Sequence, residues 1–317
     1  MGFANNHTLF DGTSFKLFLE NLASVAWGKP LAFAPNNDRH LLDARSPPRV
    51  AFSHPELVEF PPVPSGQESQ LTIFEPTPDN LRFKVFKLRS DDIAGLKEKA
   101  KDGGASGPSI TGFNVVTAHI WRCRVLANTA EPVPDPEKTH TVLYAVDIRS
   151  RLQPPLPRSY TGNAVLTGYG AATRRELEGG SFSWLVEAVR EGNTRMNDEY
   201  ARSIIDWGQL HRGYPRGDVM ISSWWRLGFG DVDFPWGKPI YCCPVLIPTM
   251  DIVVFYPDVE SADHPSTTVN VCIALPPENM KKTQEESLKA VTPNGALTRN
   301  SHCVFAQVDP CLVHPQY

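Results

Sequence analysis

The stretch NHTLFDG, residues 6–12, places a histidine and an aspartate four positions apart near the start of the sequence. A histidine titrates near neutral pH and can remove a proton from a nucleophile, while a nearby carboxylate can fix its loop or its ring. His7 and Asp11 are therefore a candidate base and its support. The chain contains 9 histidines, so this spacing also arises by chance, and taken alone His7 is more often a surface or core residue.

A predicted helix follows this stretch directly. Apolar residues recur there at helical spacing: Phe15, Phe18, Leu19, Leu22 and Val25. Thr13 or Ser14 can cap the helix, which we expect to end near Gly28. Residues 30–68 then contain eight prolines, which is too many for an ordinary helix or strand. This composition predicts an extended connection over the surface.

From residue 71 onward, predicted strands and helices alternate. Alternating, β-branched and aromatic residues predict strands over 71–76, 81–88, 139–152, 218–225, 244–257 and 267–275. Helical spacing predicts helices over 90–103, 111–128 and 181–207. Residues 279–301 are polar and predict a surface helix or a loose tail, whereas residues 302–317 give no prediction. With no internal repeat, the pattern favours a mixed α/β or α+β fold.

The composition is typical of a soluble globular protein, with 41% hydrophobic and 21% charged residues. A net charge of −4 without a basic cluster gives no reason to expect nucleic acid or an anionic membrane as a partner. The sequence has neither an apolar run long enough to span a membrane nor the layout of a signal peptide, which predicts a cytoplasmic protein. Its 6 cysteines include no CxxC pair, so we expect reduced thiols and neither a disulfide scaffold nor a zinc site.

Three further segments give NHTLFDG a context: TAHIWRCR at 117–124, YAVDIRSRLQPPLPRSYTGNAV at 144–165 and SSWWRLGFGDVDFPWGKP at 222–239. In this order they resemble the plant BAHD acyltransferases, whose signatures are HxxxDG and DFGWG, and the resemblance extends over residues 1 to about 277. It implies an α/β (mixed α+β) fold with the two-domain architecture of chloramphenicol acetyltransferase. Family members carry a long strand-rich segment before HxxxDG, so we expect most of the first domain to be missing.

The resemblance also implies a division of the chain. Residues 1–44 would be a remnant of the N-terminal domain that carries HxxxDG, and residues 45–70 the crossover loop. Residues 71–280 would form the C-terminal acyltransferase domain with DFPWG, and residues 281–317 a polar tail. Without the rest of the first domain, we expect exposed strand edges and apolar faces, with His7 in a less firmly held segment.

Roles for single residues follow from the same resemblance. His7 is implied to be the general base, which takes a proton from an acceptor hydroxyl or amine as that group attacks the thioester of an acyl-CoA co-substrate. Asp11 is implied to turn away from the substrate and to pair with Arg149. Asp233 corresponds to the aspartate of the second signature, which is mainly structural in the family and is sometimes assigned a catalytic part. Four further positions are implied to give structural support: Gly12, Asn163, Trp236 and Gly237.

Two positions depart from the family pattern. Pro235 stands where a glycine is usual, and Thr161 stands where a phenylalanine is usual. If that glycine needs a positive φ, proline cannot adopt it, because its ring fixes φ near −65°. We therefore expect an altered local fold at the second signature. The change at Thr161 is a smaller one and is expected to affect packing or the entrance of the CoA site. Trp236 is equally well interpreted as a core aromatic or as a contact to the reacting groups, where it could help stabilise the oxyanion.

Other residues have a structural explanation beside a functional one. Arg226 could meet an acceptor carboxylate, but a solvated arginine is the better interpretation. His119 and Cys123 lie one helical turn apart and could share a metal, but two such residues on an apolar helix are more often core. The predicted function is acyl transfer from acyl-CoA to a hydroxyl or amine of a plant metabolite, by a monomer without a metal. The alternatives are a non-catalytic truncated isoform or gene-model fragment of such an enzyme, and a hydrolase that uses the same base with water.

Overall fold

A six-stranded mixed sheet lies at the centre of the fold. The computed structural model describes residues 2–3, 6–61, 80–103, 110–128, 133–240, 242–243, 252–258 and 268–291. The strands are β1 Leu57–Glu59, β2 Arg82–Leu88, β3 Thr139–Asp147, β4 Val165–Thr173, β5 Gly213–Pro215, β6 Val219–Ser223, β7 Ile252–Pro257 and β8 Val269–Leu275. The sheet has the order β2-β8-β7-β6-β3-β4, in which β6 is parallel to β3 and β7 and the other pairs are antiparallel. Strands β1 and β5 form a separate antiparallel ribbon.

The described residues form seven α-helices. They are α1 Gly12–Ala26, α2 Ser90–Asp102, α3 Gly112–Leu126, α4 Arg174–Gly179, α5 Phe182–Arg195, α6 Asp198–Leu210 and α7 Pro277–Val291. Of these, α3, α4, α5 and α7 contact the central sheet. Helix α3 packs against α2, α5 and α7, and α5 also packs on β4. The fully buried side chains of Trp121, Tyr144 and Phe255 join the helical layer to the strands in the main core. In the part of the chain that the structure describes, none of the helices has the length and apolarity needed to cross a membrane.

Strand β8 is buried along its whole length because it is covered on both faces. Successive side chains of a strand point to opposite faces. Val271 and Ile273 join the main core, whereas Cys272 packs with Val254 and Tyr256 in a separate apolar cluster. A central strand of this kind reads as a continuous apolar run rather than an alternating one.

Helix α1 packs in a smaller apolar cluster outside the main core. Its residues Leu19 and Ala23 contact Phe229, Val232 and Phe234 in the segment that follows β6. The helix therefore connects the NHTLFDG stretch, which precedes it, to the DFPWG segment, which packs along its side.

The predicted mixed α/β fold class is confirmed, and most of the predicted elements are present. The single helix predicted over 181–207 is wrong, since α5 and α6 are separate: the Asn197 side chain accepts a hydrogen bond from the N–H of Tyr200 at 3.0 Å and caps α6. Strand β4 was not predicted, because VLTGYGAAT contains two glycines and few large apolar residues. The predictions for 71–76 and 244–250, and that for 279–301 beyond residue 291, lie outside the described residues. The predicted domain boundaries stay predictions.

Candidate active site

Asp11 ends the HTLFDG loop, residues 7–12, and caps helix α1. Its Oδ1 accepts a hydrogen bond from the N–H of Ser14 at 2.9 Å, as expected of an aspartate at an N-cap. Its Oδ2 accepts from the N–H of Ala164 at 2.8 Å, and the side chain is buried. The prediction that Thr13 or Ser14 caps this helix is wrong, because the carboxylate that precedes both residues reaches the free N–H groups of the first turn.

Arg149 binds the same carboxylate from the sheet. Its Nη1 donates to Asp11 Oδ2 at 3.0 Å and its Nη2 donates to Asp11 Oδ1 at 2.9 Å, so the ion pair is bidentate. The Nη2 also donates to the Ser14 hydroxyl at 2.7 Å and to the Gly162 carbonyl at 3.0 Å. Only 5% of the Asp11 side chain and 11% of the Arg149 side chain are exposed. The carboxylate is therefore saturated with donors and is not free to accept a proton from a substrate.

The YTGN segment, residues 160–163, lines the other side of the HTLFDG loop. The amide Nδ2 of Asn163 donates to the backbone carbonyl of His7 at 2.7 Å. The Ser14 hydroxyl donates to the Gly162 carbonyl and accepts from the Gly162 N–H, both at 2.9 Å. Thr161, in place of the usual phenylalanine, has its backbone N–H bonded to the Asn36 carbonyl at 2.6 Å. The side-chain amide of Asn163, which is distant in sequence, thus fixes the main chain of the loop at His7.

The His7 imidazole is exposed, in contrast to the buried carboxylate four residues later. The loop turns tightly around it, since Leu9 N–H donates to the Asn6 carbonyl and Thr8 N–H to the Asn6 side chain, each at 3.0 Å. The His7 imidazole is therefore accessible to solvent, while the backbone of the loop is held by hydrogen bonds to Asn163 and Asn6. Such an imidazole can accept a proton from a bound nucleophile.

Arg39 also contacts this loop, although no sequence pattern predicts that it does. Its Nη2 donates to the Leu9 carbonyl at 3.0 Å, and its Nη1 donates to the Thr161 carbonyl. Arg39 lies within the proline-rich connection, and no spacing relates it to His7 or Asp11. Its contact with the loop is evident only from the fold, in which the proline-rich connection runs beside residues 159–161.

The second signature, Asp233 to Gly237, forms a tight turn. The N–H of Gly237 donates to the Phe234 carbonyl at 2.9 Å, which makes Pro235 the second residue of a four-residue turn. Proline suits this position because the turn requires a φ near −60° there. The positive φ of 108° occurs at Gly237 and not at Pro235. Pro235 is therefore compatible with the turn that forms here, and the expected change from the family's local fold stays a prediction.

The structure does not bring this second signature to His7. Asp233 lies beside the opposite end of α1, where the indole Nε1 of Trp27, the C-cap residue, donates to the Asp233 carbonyl at 2.9 Å. The 15 residues of α1 span about 22 Å, which separates Asp233 from the loop that precedes the helix. Trp236 is 68% exposed and stacks on Phe234, with ring centroids 5.2 Å apart. Trp236 is therefore not a core aromatic, and no described contact links it to His7.

His119 and Cys123 are buried core residues. The Cys123 Sγ lies 3.8 Å from His119 Nδ1, and His119 Nε2 lies 3.0 Å from the Ser287 hydroxyl. Burial lowers the pKa of His119 to about 4 and raises the pKa of the Cys123 thiol to about 12, so both are neutral at pH 7. Among the described residues no cluster of three or more histidine, cysteine or acidic side chains is arranged for a metal. Arg226 is exposed and lies over the Trp225 ring, 5.0 Å from its centroid.

Elsewhere in the fold, a serine, a histidine and a glutamate form a series of hydrogen bonds. The Ser203 hydroxyl lies 2.7 Å from His54 Nε2, and His54 Nδ1 lies 3.2 Å from Glu56 Oε1. All three residues are buried, and Tyr200 donates to the same Glu56 oxygen at 2.8 Å. The arrangement resembles a hydrolytic triad in its bonding, but the serine has no exposed surface. It joins the segment before β1 to helix α6.

Comparison with known sequences gives consistent matches over most of the chain. The model of the Transferase family matches residues 1–289. The chain is 52% identical over 287 residues to the acyltransferase GLAUCE of Arabidopsis thaliana, covering 90% of this chain and 62% of that protein. It is 32% identical over 293 residues to omega-hydroxypalmitate O-feruloyl transferase of Arabidopsis thaliana, covering 91% of this chain and 61% of that protein. The chain thus spans about three fifths of the length of these relatives.

Among solved structures, the fold is similar to F. graminearum TRI101, which was crystallised with ethyl coenzyme A. The TM-score is 0.70 at 16% sequence identity, covering 87% of this chain and 62% of that one. At this identity the likeness concerns the fold alone, a mixed α/β architecture.

Proposed function

The chain belongs to the Transferase family, the BAHD acyltransferases, and from this premise we propose that it transfers an acyl group from an acyl-CoA directly to an acceptor hydroxyl. The observation that supports the proposal is the difference between Asp11 and His7 in the HTLFDG loop. The Asp11 carboxylate is bound by Arg149 and by two backbone N–H groups, while the His7 imidazole is exposed. His7 is thus available to act as the base, and Asp11 supports the loop.

The reaction requires one base and one leaving group. The acceptor hydroxyl gives its proton to an imidazole nitrogen of His7 while its oxygen forms a bond to the thioester carbonyl carbon. The carbon–sulfur bond then breaks, and the CoA thiolate takes the proton from the imidazolium. Atoms and charge balance without a covalent acyl-enzyme. General-base catalysis of this kind contributes about 10²- to 10⁴-fold in rate when the geometry is held.

The name of one relative favours a hydroxyl acceptor and an aromatic acyl donor. The relative at 32% identity is named an omega-hydroxypalmitate O-feruloyl transferase. This name specifies transfer of a feruloyl group to the oxygen of a hydroxyl at the end of a palmitate chain. We therefore take hydroxycinnamoyl-CoA donors and long-chain alcohols as the first substrates to test, with an amine acceptor as the comparison.

We also infer that the protein acts in the cytoplasm as a single chain. The net charge of −4, without a basic cluster, and the resemblance to the family favour this assignment. Light scattering on the purified protein and fractionation of plant cells test it. A stable dimer, or recovery in the membrane fraction, would contradict it.

The decisive experiment measures thiol release from feruloyl-CoA and ester formation by mass spectrometry. Purified protein is supplied with the donor alone, with a long-chain alcohol, and with the matching amine. Ester formation that depends on the alcohol supports the proposal, whereas thiol release that is equal without an acceptor indicates a hydrolase. His7→Ala is expected to lower the rate about 10²-fold or more, with His211→Ala, a half-buried histidine beside Glu59, as the control.

Because the relatives are longer, the same assays are made on a chimera. The N-terminal part of the relative at 52% identity is placed before residue 1 of this chain. Transfer by either protein that requires His7 supports the proposal. If neither protein transfers any acyl group, or if His7→Ala retains full activity, the proposal fails in favour of a non-catalytic product or of a different base.

A further inference from the structure

We propose that Arg39 is a positioning residue that holds the HTLFDG loop in its working conformation. This inference rests on the proposed function, because it concerns how His7 is presented. The guanidinium joins two backbone carbonyls from separate parts of the chain: that of Leu9, at 3.0 Å from Nη2, and that of Thr161, bonded to Nη1. Arg39 therefore ties the middle of the HTLFDG loop to the YTGN segment.

The backbone that carries Arg39 is itself fixed to that segment. The N–H of Asn36 donates to the Ser159 carbonyl at 2.9 Å, and the Thr161 N–H donates to the Asn36 carbonyl at 2.6 Å. Asp38 then accepts the N–H of His40 at 3.1 Å and caps the short helix that begins at Arg39. The side chain thus starts from an anchored position, although it is itself exposed.

Gly162 leaves the space that the guanidinium occupies. A Cβ at this position would lie 2.2 Å from Arg39 Nη1 and 2.8 Å from the Tyr160 hydroxyl, so a side chain there would displace the arginine. The Arg39 guanidinium carbon also lies 5.7 Å from the centroid of the buried Tyr160 ring, within the range of a cation–π contact. The absence of a side chain and the nearby aromatic ring both favour an arginine at this site.

The position of Leu9 explains why this bond matters. Leu9 lies midway between His7 and Asp11, and its side chain is 50% exposed, so packing does not fix it. The two ends of the loop are bound by Asn163 at the His7 carbonyl and by Arg149 at the Asp11 carboxylate. Without Arg39, the middle of the loop keeps its local bond from Leu9 N–H to the Asn6 carbonyl but loses its bond to a distant segment, and the imidazole samples more orientations.

The inference predicts a loss in turnover and not in binding. Arg39→Ala is expected to lower kcat by about 10- to 100-fold, since a shift of about 1 Å in a catalytic group has effects of that size. KM for donor and acceptor is expected to stay within about twofold. The kcat of Arg39→Lys is expected to lie between those of the wild type and of Arg39→Ala. A lysine ammonium keeps the charge but is a point charge, and it does not replace the planar guanidinium that reaches both carbonyls. Added guanidinium ion at millimolar concentration is expected to restore part of the activity of Arg39→Ala.

A second readout is independent of activity. Hydrogen exchange of peptides covering residues 6–10 is measured by mass spectrometry in the 317-residue chain. Arg39→Ala is expected to speed exchange in these peptides while exchange in β3 and β4 stays unchanged. Arg158→Ala, an exposed arginine two positions before Tyr160, is the matched control and is expected to change neither exchange nor kcat.

The outcomes separate this inference from the function on which it rests. If His7→Ala abolishes turnover but Arg39→Ala behaves like Arg158→Ala in exchange and in kcat, the positioning role is wrong and the base stands. If Arg39→Ala raises KM and leaves kcat unchanged, Arg39 contacts a substrate instead. If His7→Ala leaves turnover unchanged, the proposed base is wrong, and hydrogen exchange alone decides whether Arg39 orders the loop.

Discussion

Arg149 holds both carboxylate oxygens of Asp11, with Nη to Oδ distances of 3.0 and 2.9 Å. The contact joins two segments that are 138 residues apart in the sequence, and both side chains are almost completely buried. The same carboxylate caps α1. One aspartate therefore caps the helix, fixes the end of the loop and binds the Arg149 guanidinium.

Removing this carboxylate should destabilise the fold strongly. Asp11→Ala removes the buried partner of Arg149 and leaves only the partly exposed Asp147 carboxylate, 3.1 Å from Nη1. Breaking a buried ion pair costs about 3–5 kcal/mol. Asp11→Asn keeps an N-cap acceptor and the side-chain volume, so a smaller loss is expected. Urea unfolding followed by circular dichroism measures both, and Asp233→Asn, at an exposed aspartate, is the control. An unfolding free energy of Asp11→Ala within about 0.5 kcal/mol of the wild type would contradict this account.

Asp233 should have little effect on turnover. It lies beside the end of α1 that is remote from His7, and its backbone carbonyl, not its carboxylate, bonds Trp27. Asp233→Asn is therefore expected to change kcat by less than about threefold, a change of under 1 kcal/mol in the barrier. Steady-state kinetics beside His7→Ala checks this. A loss comparable to that of His7→Ala would place the second signature in the reacting centre.

The second signature should instead matter for stability through Phe234. This side chain is buried in the α1 cluster, whereas Trp236 is 68% exposed. Phe234→Ala is expected to lower the unfolding free energy by about 3–5 kcal/mol, and Trp236→Ala by much less. Thermal and urea unfolding of the two variants compares them directly. Equal losses of unfolding free energy would contradict the prediction, because the exposed Trp236 side chain would then stabilise the fold as much as the buried Phe234 does.

Local patterns were sufficient to predict α1, α2, α3 and most of the sheet. Helical spacing and β-branched runs specify these elements within a few residues of sequence. Strand β4 was missed because Gly168 and Gly170 interrupt the pattern. They are small for a reason that only the fold reveals: a Cβ at Gly168 would lie 2.8 Å from the Tyr144 ring, and one at Gly170 would lie 3.2 Å from the Ala188 carbonyl oxygen.

The candidate site was predicted in part, through the resemblance and not through spacing. The ion pair of Asp11 with Arg149 is present in the structure, but no local rule relates residues so far apart. Arg39 was missed because its partners are backbone carbonyls, which leave no trace in side-chain chemistry. The position of Asp233 at the far end of α1 was equally invisible, since it depends on how a loop packs along a helix.

Asp206 should make stability depend on pH in the acid range. Burial opposes ionisation of this carboxyl, but hydrogen bonds from the Arg49 N–H and from the side chain and N–H of Arg45 outweigh it and hold its pKa below the usual value. A lowered pKa in the folded state gives stability that is fully present above the unfolded-state pKa and is lost as pH falls through the folded one. Wild-type protein is therefore expected to lose stability below about pH 4 more steeply than Asp206→Asn. Urea unfolding at pH 7, 5, 4 and 3 measures this, and parallel curves for the two proteins would contradict it.

Ser203 should prove to be structural in spite of its histidine and glutamate neighbours. Its hydroxyl accepts the N–H of Ala51 at 2.9 Å and lies 2.7 Å from His54 Nε2, inside the fold. Ser203→Ala leaves both groups without a partner, which costs about 1–3 kcal/mol in the unfolding free energy. Because the hydroxyl is inaccessible, a fluorophosphonate that labels serine hydrolases is expected to leave the folded protein unmodified. Ser203→Ala should then keep the wild-type kcat at a temperature where both proteins are folded. Labelling of Ser203, together with loss of turnover in Ser203→Ala at full folding, would instead favour hydrolysis through this buried chain.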